Sequence, residues 1–126
     1  MKSNPDLALD LATKADHDLR KAEIGLAHGA PLDTVAFHVQ QTAEKTLKAL
    51  LASRAIEYPR THDVEALLDL AAPLCPELAN YREPLLGLSS YAVEMRYDAD
   101  LDPSREEVEA ALQAVRRLRD TVGRLF

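Results

Sequence analysis

The chain has 126 residues, of which 47% are hydrophobic and 29% charged, and its formal net charge is −6. This length predicts a single domain, residues 1–126, that can bury a core without metal or disulfide staples. The acidic balance argues against bulk electrostatic binding of nucleic acid, although it leaves room for a small local basic site.

Signals for compartment and redox chemistry are few. Cys75 is the only cysteine, which rules out an internal disulfide and gives no cysteine-based metal site. Residues 1–23 are amphipathic and charged throughout, without the apolar core of a signal peptide or the length of a membrane span. We therefore expect a cytoplasmic protein that does not associate with membranes.

Two amphipathic helices are predicted in the first half of the chain. The first begins at Asn4, a good capping residue, and is stopped by Gly29 and Pro31. Its apolar stripe recurs at steps of three and four residues: Ala8, Ala12, Ala15, Leu19, Ala22 and Leu26. The second helix runs from about Leu32 to about Arg54. Its predicted core face consists of Ala36, Val39, Ala43, Thr46, Leu47 and Leu50.

The second half predicts three more helices. Residues 56–63 form a non-helical connector, after which Thr61 or Asp63 caps a short helix that stops before Pro73. A fourth helix is expected from about residue 83 to about residue 97, after a start broken by prolines. Ser104 with Glu107 makes a capping box for the last helix. No stretch alternates at period two, so the predicted fold is all-α: an antiparallel bundle of four long helices and one short helix.

A polar stripe on the second helix is the first candidate site. At about 100° per residue, Phe37, Gln41, Glu44 and Lys48 lie within roughly 60° of one another. Because the apolar face is centred on the far side of the helix, the stripe is expected to point away from the core of the monomer. It is either a solvated face with a Glu44–Lys48 pair or a contact surface for a partner or ligand.

Each of the other candidate residues has both a functional and a structural interpretation. His62 is suited to act as a base or phosphate ligand, or it simply caps and packs. Arg96, followed by Tyr97, offers a planar fork for phosphate or complements a helix dipole. A calcium-loop pattern over Asp98–Glu109 has Pro103 where glycine is required. With no glycine-rich phosphate loop and no metal motif, we expect neither cofactor nor metal.

These elements together resemble a HEPN domain. The resemblance covers nearly the whole chain, and the matching stretches in order are QQTAEKTLKALL, THDVEALL and MRYD. It implies a helical bundle that dimerises through helix faces and a role tied to nucleotides or RNA. Prokaryotic HEPN domains are commonly paired with a minimal nucleotidyltransferase in a toxin–antitoxin arrangement.

The resemblance does not carry over the whole ribonuclease motif of the family. Family ribonucleases use an arginine followed at a spacing of four to six residues by a histidine. Arg96 matches the arginine, but the histidine positions hold Leu101, Asp102 and Pro103. Without that imidazole, the chain lacks the obvious general acid or base for catalysis on a ribose hydroxyl. The chain looks more like the RYP-type branch, with Asp98 where that branch has proline.

Three hypotheses therefore stand. The first is a non-catalytic, homodimeric HEPN module that binds a nucleotide or a nucleotidyltransferase partner through a groove lined by Gln41, Glu44, Lys45, Lys48, Arg96 and Tyr97, with His62 beside it. The second is a metal-independent ribonuclease toxin that uses Arg96 with a non-standard partner such as His62. The third is a helical adaptor without a ligand.

Overall fold

The computed structural model describes residues 4–85 and 103–126. Within them the chain forms five α-helices and two short 3₁₀ helices, and no strand is present in these two ranges. The α-helices are α1 (Asn4–Ala27), α2 (Leu32–Ser53), α3 (Val64–Ala71), α4 (Arg82–Leu85) and α5 (Arg105–Gly123). The 3₁₀ helices, Ala72–Leu74 and Pro76–Tyr81, lie between α3 and α4. The all-helical prediction is confirmed.

Helices α1 and α2 form an antiparallel hairpin, and Gly29 makes the turn between them. Its φ of 77° lies in the left-handed region, and the Ala30 amide donates to the Gly25 carbonyl at 2.8 Å, as in a Schellman cap. A Cβ on Gly25 would lie 3.3 Å from Ala30 and from Val35. The two helices therefore approach closely where the hairpin begins, which accounts for glycine at both positions.

Helix α2 is the central element of the fold. Its buried residues lie all around the helix rather than on one stripe, as expected for an element enclosed by its neighbours. They are Val35, Ala36, Val39, Gln40, Thr42, Ala43, Glu44, Thr46, Leu47, Ala49, Leu50, Leu51 and Ala52. Most of these residues are aliphatic, but four of them have polar side chains. The burial of those polar groups determines where the candidate site lies.

The end of α2 turns into the connector, residues 56–63, through a strained residue. Ala55 has a φ of 56°, and the Ile56 amide donates to the Leu51 carbonyl at 2.9 Å. Alanine in the left-handed region costs about 1 kcal/mol relative to glycine. The cap directs the connector back along the side of α2. Asp63 then caps α3 by accepting from the Glu65 amide at 3.0 Å.

Helix α5 packs mainly against α2 and more lightly against α1, and it ends near the end of α2. The predicted capping box is present: Ser104 Oγ accepts from the Glu107 amide at 3.1 Å. Arg116 pairs with Glu23 at 2.7 Å and Arg119 pairs with Asp16, so α5 runs antiparallel to α1. None of the helices in the described residues has the length and apolar character needed to cross a bilayer.

The fourth predicted long helix is described only at its beginning. The broken start is confirmed, because two 3₁₀ helices precede α4. Tyr81 and Thr121 share a buried hydrogen bond of 2.8 Å that joins this region to α5. Residues 86–102, which include Arg96, Tyr97 and the loop Asp98–Asp102, lie outside the described part of the chain.

Two buried threonines on α2 give a matched test of the packing. Thr42 Oγ1 donates to the His38 carbonyl at 2.8 Å, whereas Thr46 Oγ1 has no hydrogen-bond partner in the described structure. A buried hydroxyl without a partner costs about 1–3 kcal/mol.

We expect Thr46→Val to leave the free energy of unfolding unchanged or to raise it by about 1 kcal/mol. Thr42→Val should lower it by about 1 kcal/mol, because it removes a hydrogen bond. Urea unfolding of both variants measures the difference, and equal losses would contradict it.

Candidate binding site around Glu44

Glu44 is a buried carboxylate that three side chains surround. Only 4% of the residue is exposed. Its Oε1 accepts from Gln40 Nε2 at 3.2 Å and contacts His62 Nδ1 at 2.9 Å, while Lys48 Nζ lies 3.3 Å from Oε2. An ionised carboxylate accepts hydrogen bonds only, so these donors satisfy it and Lys48 balances its charge. We call the group formed by Gln40, Glu44, Lys48, Tyr58 and His62 the Glu44 cluster.

The expectation that the polar stripe points away from the core is wrong for Glu44. Helical periodicity places the stripe opposite the apolar face, but the connector covers that side of α2. Gln40 Nε2 donates to the His62 carbonyl at 2.9 Å, which holds the connector against the helix. Gln41 and Phe37 are half-buried as well, and the Phe37 ring packs edge-on against His38 at 5.3 Å. The Glu44–Lys48 pair is present as predicted.

Sequence reasoning missed Gln40, which is the most buried member of the cluster. Its side chain is 0% exposed, and all three of its hydrogen bonds are within the protein. Nε2 donates to Glu44 and to the His62 carbonyl, and Oε1 accepts from Gln41 Nε2 at 2.7 Å. Its spacing of four residues from Glu44 was the available signal, because such residues are neighbours on a helix.

Lys45 belongs to a second buried carboxylate, on another side of α2. Asp18 of α1 is 5% exposed; its Oδ2 accepts from Lys45 Nζ at 2.6 Å and its Oδ1 lies 3.1 Å from His38 Nδ1. Lys45 stands about 100° around the helix from Glu44. The structure therefore divides the sequence-predicted groove: Gln41, Glu44, Lys48 and His62 come together, while Lys45 joins α2 to α1.

The outer edge of the Glu44 cluster consists of His62, Lys48 and Tyr58. The His62 side chain is 59% exposed although its Nδ1 is held by Glu44, whereas the Lys48 side chain is 15% exposed. Lys48 Nζ lies 5.8 Å from the centre of the Tyr58 ring, within cation–π distance. Partial burial, together with the charge of Glu44, raises the pKa of Tyr58 above its ordinary value of 10.0.

The outer edge of the Glu44 cluster presents polar and aromatic groups to solvent. The His62 imidazole and the Lys48 ammonium group contact the buried Glu44, and the Tyr58 ring lies beside Lys48, so the edge offers hydrogen-bonding groups beside an aromatic surface. In residues 4–85 and 103–126, no group of three or more histidine, cysteine or acidic side chains is arranged to hold a metal ion. Arg96 and Tyr97 lie outside those ranges, and their position relative to the cluster is not described.

Comparison with known proteins identifies a family to which the chain is similar. A family model described as HEPN domain matches residues 8–125. No curated protein and no solved structure matches the chain.

The raised pKa of Tyr58 predicts the behaviour of the protein in alkali. Folding disfavours the phenolate, so folded Tyr58 keeps its proton to higher pH than an unfolded tyrosine does. The stability linked to it is complete below pH 10 and is lost as the pH rises through the folded value. The difference in phenolate absorbance between the wild type and Tyr58→Phe should therefore show a midpoint above 10. Glu44→Gln should lower that midpoint, and a midpoint at or below 10 in the wild type would contradict the burial of the ring.

Proposed function

The chain belongs to the HEPN domain family, and on that premise we propose that it is a non-catalytic module that binds a nucleotide at the edge of the Glu44 cluster. The observation that carries the proposal is the buried Glu44, which fixes His62 and Lys48 side by side at the surface. Burying a carboxylate and an amide beside a partly buried lysine adds little stability by itself, because the desolvation cost offsets the electrostatic gain. A ligand that contacts the outer groups of the cluster, His62 and Lys48, better explains why this costly arrangement is present.

The absence of the ribonuclease histidine supports a binding role rather than catalysis. Arg96 is followed by Leu101, Asp102 and Pro103 where family ribonucleases place the imidazole. The acidic residues after Arg96 would also repel a phosphodiester backbone. A single nucleotide, by contrast, needs only a few polar contacts and a small apolar or aromatic surface.

A minimal nucleotidyltransferase is the protein partner in this proposal. The support is the family resemblance, in which such pairs form toxin–antitoxin systems and the HEPN module dimerises. The net charge of −6 supports a nucleotide-sized ligand over a long nucleic acid, because bulk binding of nucleic acid requires a concentrated basic surface. The homodimer and the partner are both part of the proposal.

One observation favours a second candidate, a metal-independent ribonuclease. Glu44 contacts His62 Nδ1, and a carboxylate that orients an imidazole in this way is a common arrangement for a general base. In this alternative, Arg96 would stabilise the phosphate while His62 abstracts the proton. Incubating the protein with RNA in EDTA separates the two candidates. Cleavage that is lost in both Arg96→Ala and His62→Ala would establish the ribonuclease, and we expect no cleavage.

Calorimetry tests nucleotide binding directly. We expect ATP or another nucleoside triphosphate to bind the purified protein, and Lys48→Met to weaken binding about tenfold, because it removes a positive charge and a donor. Lys21→Met is the matched control: Lys21 is exposed on α1, and its removal should leave the affinity unchanged. Absence of heat with every nucleotide at millimolar concentration would refute the proposal, as would equal effects of the two variants.

A further inference from the structure

His62 is held at two points, yet most of its ring is exposed. Gln40 Nε2 donates to the backbone carbonyl of His62 at 2.9 Å, and Glu44 Oε1 lies 2.9 Å from Nδ1. The side chain is nevertheless 59% exposed. Both contacts come from the same buried face of α2. They fix the backbone and the Nδ1 side of the ring, so the exposed part of the side chain is on the other side, which carries Nε2.

The partners of Glu44 determine which nitrogen of the ring carries the proton. Glu44 Oε1 already accepts from Gln40, and Oε2 lies beside the Lys48 ammonium group. A carboxylate in this setting is an acceptor, so His62 Nδ1 must donate to it. In a neutral imidazole the other nitrogen then has a lone pair and no hydrogen. Within the described residues, His62 Nε2 makes no hydrogen bond.

We propose that His62 contacts the ligand directly and that its Nε2 accepts a hydrogen bond from a donor on the nucleoside, a sugar hydroxyl or a base amino group. Gln40 and Glu44 are the positioning residues that present this nitrogen. The inference rests on the proposed nucleotide-binding function and identifies which part of the nucleotide the histidine recognises.

A phosphate group does not suit this position near neutral pH. A lone pair on Nε2 would repel phosphate oxygens unless the ring took a second proton. Among residues 4–85 and 103–126, the charges close to the ring largely cancel, because Lys48 pairs with Glu44. Along the connector and the α3 cap, the exposed Arg60 is accompanied by the exposed Glu57 and Asp63. The ring therefore lies in a surface of mixed charge, which favours a neutral donor as its partner.

The alternative is that His62 only secures the connector. Two substitutions distinguish a ligand contact from this structural role. Asparagine places an amide donor where Nδ1 stands, so His62→Asn keeps the bond to Glu44 and removes Nε2. Glu44→Gln keeps the shape of the carboxylate and removes its charge, so it weakens control of the tautomer. A purely structural histidine would tolerate the first substitution without any effect on ligand affinity.

The test combines ring-nitrogen NMR with calorimetry on the full chain. NMR of the wild type at neutral pH should show His62 with its proton on Nδ1, and Glu44→Gln should shift the population towards the other tautomer. Adenosine and ATP should both bind the wild type, and His62→Asn should weaken both by about tenfold. Inorganic tripolyphosphate should bind far more weakly than ATP. His28→Asn is the control, since His28 is exposed at the end of α1.

The possible outcomes distinguish failure of the proposed nucleotide-binding function from failure of the inference about His62. If the wild type binds neither nucleoside nor nucleotide, the proposed function fails and the inference fails with it. If the wild type binds ATP and His62→Asn binds it equally well, only the inference fails. Tripolyphosphate binding as tightly as ATP, or a proton on Nε2 in the wild type, would also overturn it. Parallel tenfold losses for adenosine and ATP, with the His28 control unchanged, support it.

Discussion

The buried Glu44 carboxylate is the constraint on which the candidate site depends. Removing an ionised carboxylate from water costs several kcal/mol unless charge and hydrogen bonds replace the solvent. The structure replaces it with an amide from Gln40, an ammonium from Lys48 and an imidazole from His62. The first two come from α2 itself, one turn before and one turn after Glu44. The third comes from the connector, so the connector must run beside α2 for the carboxylate to be satisfied.

This requirement explains the polar character of a helix that lies at the centre of the fold. Buried carboxylates join α2 to its neighbours on two sides. On one side, Asp18 of α1 contacts Lys45 and His38 of α2. On the other, Glu44 of α2 contacts His62 of the connector. Polar groups with fixed partners specify one arrangement of neighbouring elements, whereas apolar contacts tolerate sliding. The strained Ala55 cap starts the connector along the same side of the helix. Together these contacts hold His62 at a fixed position, as the proposed ligand contact requires.

The helices were largely predictable, and the burial of the polar stripe was not. The end of α1 and the start of α2 follow from Gly29 and Pro31, and the α5 cap follows from Ser104 and Glu107, because these signals are local. The position of Glu44 in the interior depends on the connector path, which no periodicity records. A helical wheel assumes one buried face, and α2 is buried on several. Gln40 was missed for the same reason, since an amide beside apolar residues gives no sign of its partner on the connector.

A double-mutant cycle on Glu44 and His62 tests the central claim most directly, that a buried carboxylate fixes the position of the histidine. The free energies of unfolding of Glu44→Ala, His62→Ala and the double variant give the coupling between the two side chains. If Glu44 fixes His62, the coupling should be about 1 kcal/mol or more. The exposed pair Arg105–Glu109, an i,i+4 contact at 2.8 Å on α5, serves as the reference and should couple by about 0.5 kcal/mol at most. A Glu44–His62 coupling no larger than that of the reference pair would show that Glu44 does not fix the histidine.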